Sequence, residues 1–168
     1  MSYHDDDLPW YTSFSRVFDD RFDVVQDRSL DRLYGNLDSD PEYIIRMIRE
    51  KHIAGTSCTV VLCGARTSQR KFVDWEICAT LYQKHGLIGI NLPTNAPSSD
   101  ASGVMRYVVP GRLHDNCVTR YALWCGWQQL VEAPSGLARW IEAARSRPTD
   151  LIDNSRRRMR RNLSATGS

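Results

Sequence analysis

Glu76 is the residue whose type and placement most invite chemistry. It stands in KFVDWEICATLYQK, between Trp75 and Ile77. The segment from Lys71 to Lys84 lacks Gly and Pro and repeats Phe72, Val73, Ile77 and Leu81 at helical spacing, so one side of it can face a core. The carboxylate falls on the side of Phe72, Val73 and Thr80, where a purely structural helix would carry an apolar or small residue. A carboxylate held there can steady an oxocarbenium-like centre or orient a ribose hydroxyl, as carboxylates do in glycosidic bond cleavage. The same spacing also suits a solvated helix carboxylate with an Arg or Lys partner.

Tyr3, His4 and Asp6 are the second group. They follow the one stretch available for a first strand, Met1 to Tyr3, and so fall at the carboxyl edge of a sheet, where open α/β folds take ligands. Taken alone they are also an ordinary polar N-terminus. His52, His85 and His114 have no spacing for a metal or a triad, and no Ser or Cys sits in a nucleophile elbow. Neither a P-loop nor GxGxxG is present, which argues against a phosphate-gripping kinase or a Rossmann dehydrogenase. The five cysteines are an odd number without a CxxC pair, so reduced, mostly buried thiols are expected rather than disulfides or zinc.

The elements that must position Glu76 are legible around it. Cys58 to Cys63, apolar apart from Thr59, reads as a buried central strand closed by Gly64. Gly86 stops the helix and Leu87 to Leu92, ended by Pro93, is a second buried strand, which completes a βαβ unit. Upstream, Leu8 to Phe18 reads as a helix buried through Trp10, Phe14, Val17 and Phe18. Phe22 to Val25 reads as a strand, and Asp27 to Asp38 as a polar loop of the ligand-holding kind. A helix restarts at Pro41, capped by Ser39 or Asp40, buried through Tyr43, Ile44, Met47 and Ile48, and ended by Gly55. Downstream come a polar loop after Pro93, an extended piece over Tyr107 to Val109, a last strand over Thr119 to Trp124 and a helix over Ser135 to Ser146. The alternation predicts a doubly wound open α/β sheet with helices on both faces. A strand order of 2-1-3-4-5 needs a first strand before Leu8, so that strand is either very short or shortened by the start used here.

With 168 residues, 42% hydrophobic and 25% charged, one soluble domain is expected, large enough to bury about two thirds of its unfolded surface. No run approaches a membrane span and the acidic N-terminus is no signal peptide, so no membrane partner and a cytoplasmic location are expected. Five arginines against Asp153 give residues 151–168 a charge of +4; the total of +2 therefore leaves −2 on residues 1–150. Nucleic acid is accordingly not the expected partner, except through that tail. Residues 1–147 are read as the domain and 148–168 as an Arg-rich C-terminal arm or tail, disordered or packed through Leu151, Ile152 and Leu163.

The stretch DPEYIIRMIREKHIAGTSCTVVLCGARTSQRKFVDWEICATLYQKHGLIGINLP, with SYHDDD before it and RLHDN and DNSR after it, resembles the bacterial TIR-like proteins of the Thoeris anti-phage system, the ThsB type. TVVLCGARTSQRKFVDWEI is its most specific part. The resemblance implies a flavodoxin-like (TIR) fold, and many TIR proteins cleave NAD at the nicotinamide–ribose bond with a glutamate on the helix after the third strand. It makes Glu76 the expected catalytic residue. Tyr3 and His4, on the loop after the first strand, and Arg28 and Ser29, on the loop after the second, become the expected nucleotide-binding residues, with Trp75 as a neighbouring wall. NAD is then a substrate and no cofactor is needed. The implied product is a cyclic ADP-ribose isomer or related nucleotide that activates a downstream effector, with a phage-derived trigger and self-association through TIR contacts. A non-catalytic TIR scaffold signalling by protein contact is the alternative.

Overall fold

A computed structural model describes residues 1–18, 41–53, 55–99 and 101–164. The predicted strand Phe22 to Val25, the loop Asp27 to Asp38 with Arg28 and Ser29, and the caps Ser39 and Asp40 lie outside the described residues.

Strand β1 (Cys58–Cys63) pairs in parallel with β2 (Gly86–Asn91), and β2 in parallel with β5 (Leu123–Gly126). The N-terminal segment joins the other side of β1 at one residue. Ser2 donates its amide to the Val60 carbonyl and accepts from the Leu62 amide, both at 2.9 Å. The expected first strand is thus a single parallel bridge, in the place that the 2-1-3-4-5 order requires.

Helices cover both faces, because β1 and β2 are apolar on both sides. Val60, Leu62, Ile88 and Ile90 point toward α1 (Leu8–Phe18), α5 (Trp127–Glu132) and α6 (Gly136–Arg145). Val61, Cys63 and Leu87 point toward α3 (Lys71–Tyr82) and α4 (Gly111–Val118), where they meet Val73, Ile77, Leu81 and Leu113. Each such aliphatic side chain contributes about 1.5–3 kcal/mol on burial. Helix α2 (Pro41–Met47) runs on in wider π-helical turns, Ile48–Ile53, and packs Ile44, Ile48 and Ile53 on Phe72, Trp75 and Ala79 of α3. Gly55, at φ +81°, makes the predicted exit. Two predicted core positions face outward: Val17 is exposed, and so is Tyr43, whose ring carries the Arg46 guanidinium.

Helix α3 stops earlier than Gly86. Lys84 takes the left-handed turn at φ +58°, and Gly86 instead opens β2, where a Cβ would come within 2.9 Å of the Ala144 backbone. The predicted last strand over Thr119 to Trp124 is corrected. Its first residue is the C-cap of α4, Arg120 turns the chain at φ +67°, and the strand occupies Leu123–Gly126. The β-branched pair Val118 and Thr119 imitates a strand, whereas the burial of Arg112, Leu113 and Asn116 on one helical side decides the matter. The extended piece expected over Tyr107 to Val109 is not a strand; the strand nearest to it is β4 (Met105–Arg106), antiparallel to β3 (Ser98–Ser99).

The last described segment, 149–164, is an irregular arm lying on α3 and α4. Leu151 and Ile152 join the α3-side core, while Leu163 is exposed and held through its amide, which donates to the Gln69 carbonyl at 2.9 Å. No described helix is long and apolar enough to cross a membrane.

Candidate active site at the carboxyl edge of the sheet

The loops leaving the N-terminal segment, β1 and β2 meet at one buried carboxylate, Asp7. It accepts from the Thr94 hydroxyl at 3.0 Å, and the Thr67 hydroxyl lies 3.3 Å away, its single proton shared with the Leu62 carbonyl at 3.2 Å. Thr67 in turn accepts from the Gly64 amide at 2.9 Å. Gly64 is required here, because a Cβ would collide with the Asp7 carboxyl group. Burial pushes the Asp7 carboxyl above its usual range, against the pull of the two threonine hydroxyls. Asn95 fastens the next loop by donating to Asn91 Oδ1 at 2.8 Å and to the Val108 carbonyl at 2.9 Å.

His4 stands beside this junction and is 2% exposed. Its Nδ1 accepts from the Asp6 amide at 2.9 Å, which leaves the proton of the neutral ring on Nε2. Burial, helped by the nearby Arg70 cation, holds the ring below its usual pKa, against the opposing aspartates. The 3.6 Å approach of Nδ1 to Asp6 is therefore not an ion pair. Among the described residues His4 Nε2 has no hydrogen-bond partner, nor does the buried Ser2 hydroxyl. Met1 and Tyr3 pack with the α1-side core and Ser2 bridges Val61, so strand alternation puts Ser2 and His4 on the α3 face.

Glu76 is on that face too, and is 6% exposed. Along α3 it lies between the stripe that meets the sheet, Val73 and Ile77, and the stripe that meets α2, Phe72 and Ala79. The turn after it is fixed by Thr80, whose hydroxyl lies 2.8 Å from the Glu76 carbonyl and 2.7 Å from the Thr59 hydroxyl on β1. Glu76 is therefore a buried carboxylate on a helix pinned to the central strand, and not a solvated one.

The structure thus places Glu76 and His4 on one face of the sheet and sends the other described candidates elsewhere. Tyr3 stacks on Tyr11 across the sheet, centroids 4.7 Å apart. Trp75 turns toward α2 and the arm: its ring meets Phe72 edge-on, and its Nε1 donates to the Met159 carbonyl at 2.8 Å. Two clefts of about 330 and 360 Å³ lie on either side of β5, lined by Tyr107, His114 and Trp124 and by Leu123, Arg139 and Trp140. Burial pushes the Cys58 thiol to about 12 and Cys117 and Cys125 to about 11, with Cys63 well above its usual value, so these are structural thiols. Among the described residues no three His, Cys, Asp or Glu cluster as metal ligands.

Sequence reasoning missed Asp7, Gly64 and Thr67, although Gly64 had marked the strand end and DDD the polar N-terminus. It also missed the ion pair behind α3, where buried Arg112 meets Asp74 at 2.9 Å. The segments RLHDN and DNSR carried that signal, because Arg112, Asp115 and Asn116 of one bind Asn154, Arg156 and Asp153 of the other.

A search of curated proteins finds no match to the chain. The family described as Thoeris protein ThsB, TIR-like domain, matches residues 1–97, which include His4, Asp7, Gly64 and Glu76. That match spans more than half of the 168 residues and agrees with the parallel sheet and its flanking helices. The chain belongs to the TIR-like ThsB family of the Thoeris anti-phage defence system.

Proposed function

We propose that this Thoeris protein processes NAD, breaking the nicotinamide–ribose bond to make an ADP-ribose-type signal, cyclic or open, for a downstream effector. The observation that carries this reading is the burial of Glu76 on the sheet face that also holds the Nε2–H of His4, which has no partner among the described residues. In the proposed step the glycosidic C–N bond breaks and its electron pair leaves with nicotinamide, neutralising the pyridinium. The ribose carbon becomes cationic, and the Glu76 carboxylate steadies that charge in a site with little water to screen it. Attack by water gives ADP-ribose and a proton. Attack by another atom of the same nucleotide gives a cyclic product, and exclusion of water favours it. His4 would line the nucleotide pocket and Arg28 and Ser29 would complete it, with a second copy of the chain closing it and a phage-derived trigger setting its activity.

Incubating the protein with NAD, with and without phage lysate, and separating the nucleotides by chromatography tests this. Nicotinamide release that falls at least about a hundredfold in Glu76→Gln is the expected result, the size of effect seen when one transition-state charge partner is removed. Release that ignores the substitution sinks the assignment.

A second reading, a scaffold that signals by contact, draws on exposed apolar side chains at Val104, Met105, Tyr107 and Val108 beside the Trp124 cleft. A scaffold gives no thermal shift with NAD or ADP-ribose, and its defence phenotype survives Glu76→Gln.

A further inference from the structure

Helix α3 has no cap of its own. Its N-cap residue is Arg70, whose side chain offers no acceptor and makes no capping bond, although a helix start leaves several amides in need of one. The acceptor comes from 91 residues downstream: Asn162 Oδ1 takes the Lys71 amide at 2.9 Å. Next to it the Leu163 amide donates to the Gln69 carbonyl, so the arm closes on the turn that precedes the helix as well.

The arm then runs back along α3. Met159 donates its amide to Asp74 Oδ2 at 2.9 Å and accepts from Trp75 Nε1 at 2.8 Å, and Asn154 Nδ2 donates to the Cys78 carbonyl at 3.1 Å. Residues 71, 74, 75 and 78 are an i, i+3, i+4, i+7 stripe, one continuous side of a helix. Glu76 and Thr80 occupy the opposite side, against β1. The helix is therefore held between the sheet, which Thr80 meets at Thr59, and the arm on the opposite side.

The arm is itself anchored. Arg112, fully buried, bonds Asp74 with Nε while its remaining nitrogens reach Asn154 Oδ1 at 2.6 Å and the Arg156 carbonyl at 2.7 Å. Arg156 forms a two-pronged pair with Asp115 at 2.6 and 2.8 Å, and Arg158 pairs with Glu42 on α2. Two members of the Arg run thus fasten the arm to two helices.

We propose that Asn162 is the remote N-cap of α3 and that the arm sets the register of the helix bearing Glu76, which makes Asn162 a positioning residue of the site. Its importance for turnover rests on the NAD reading above; its hold on the helix does not. Hydrogen exchange across residues 71–82 and steady-state NAD kinetics, measured on the full chain, separate the two. In Asn162→Ala the front-turn amides are expected to exchange about fivefold faster, the effect of losing one cap. Asn162→Asp, which keeps an acceptor, restores them. The kcat for nicotinamide release falls and recovers in step, while KM for NAD moves by less than about twofold. Arg157→Gln, an exposed arm position, leaves exchange and kinetics unchanged. Unchanged exchange in Asn162→Ala overturns the cap, and faster exchange with unchanged kcat overturns its role at the site. No nicotinamide release from the unmodified protein sinks the NAD reading alone, and the exchange data still decide the cap.

Discussion

Arg112 on α4 and Asp74 on α3 form an ion pair behind the Glu76 helix, Nε to Oδ1 at 2.9 Å, with side chains 0% and 6% exposed. Such a pair is costly to bury, and its value shows when one partner is removed alone. Arg112→Met strands the Asp74 carboxylate and is expected to cost about 3–5 kcal/mol in urea unfolding. Asp74→Leu combined with Arg112→Met removes both charges and is expected to recover more than half of that loss. A double variant as unstable as the single one would place the cost in the Asn154 and Arg156 bonds instead.

Gly64→Ala tests the three-loop junction. The new methyl meets the Asp7 carboxyl group and the junction has no slack, because Thr67 and Thr94 hold that group from two other loops. Overpacking of this kind costs about 1–3 kcal/mol. The double variant Gly64→Ala with Asp7→Ala, which clears the space, is expected to lose less than the sum of the two single changes. Strict additivity in denaturant unfolding rules out the contact as the cause.

Thiol labelling tests the reading of the cysteines. With Cys117 and Cys125 near 11 and Cys58 near 12, the reactive thiolate at pH 7 is at most about one part in ten thousand, so native labelling of these sites is slow. Mass spectrometry of alkylated peptides should find Cys58, Cys63, Cys117 and Cys125 labelled at the rate of unfolding. Prompt native labelling of Cys63 contradicts its burial.

The βαβ unit was legible because its signals are local and redundant. The strand Cys58 to Cys63 is apolar on both faces, and the Phe72, Val73, Ile77 and Leu81 repeat needs nothing beyond itself. Glu76 was legible as an odd residue for the same reason: only a polar group inside an apolar stripe stands out. The link between His4 and α3 is one strand residue away from being wrong, since alternation sends Tyr3 to one face and His4 to the other. A first strand reduced to the Ser2 bridge gave the sequence no period from which to read that. Arg112 and Asn154 were marked only as members of RLHDN and DNSR, not as partners of each other or of Asp74, and Asn162 was not marked at all. Their bonds span 38 to 91 residues, and a polar residue in a polar stretch carries no mark of the distant partner that buries it.

Two buried groups at the site edge should pull stability in opposite directions with pH. Burial raises the Asp7 pKa above 3.8, so the folded state holds that proton longer than the unfolded chain does. Its contribution is full below 3.8 and is lost as pH rises through the folded value. Burial lowers the His4 pKa below 6.5, so the unfolded chain takes up that proton first. Its contribution is full above 6.5 and is lost as pH falls through the folded value. Urea midpoints measured from about pH 4 to 7, between these reference values, resolve the two. Asp7→Asn is expected to make stability climb more steeply with pH. His4→Asn, whose Oδ1 can still accept from the Asp6 amide, is expected to make it climb less. Shifts of the same sign in both variants contradict the assigned burial of one of them, and an unchanged slope in His4→Asn contradicts a ring that stays neutral beside Glu76's face of the sheet.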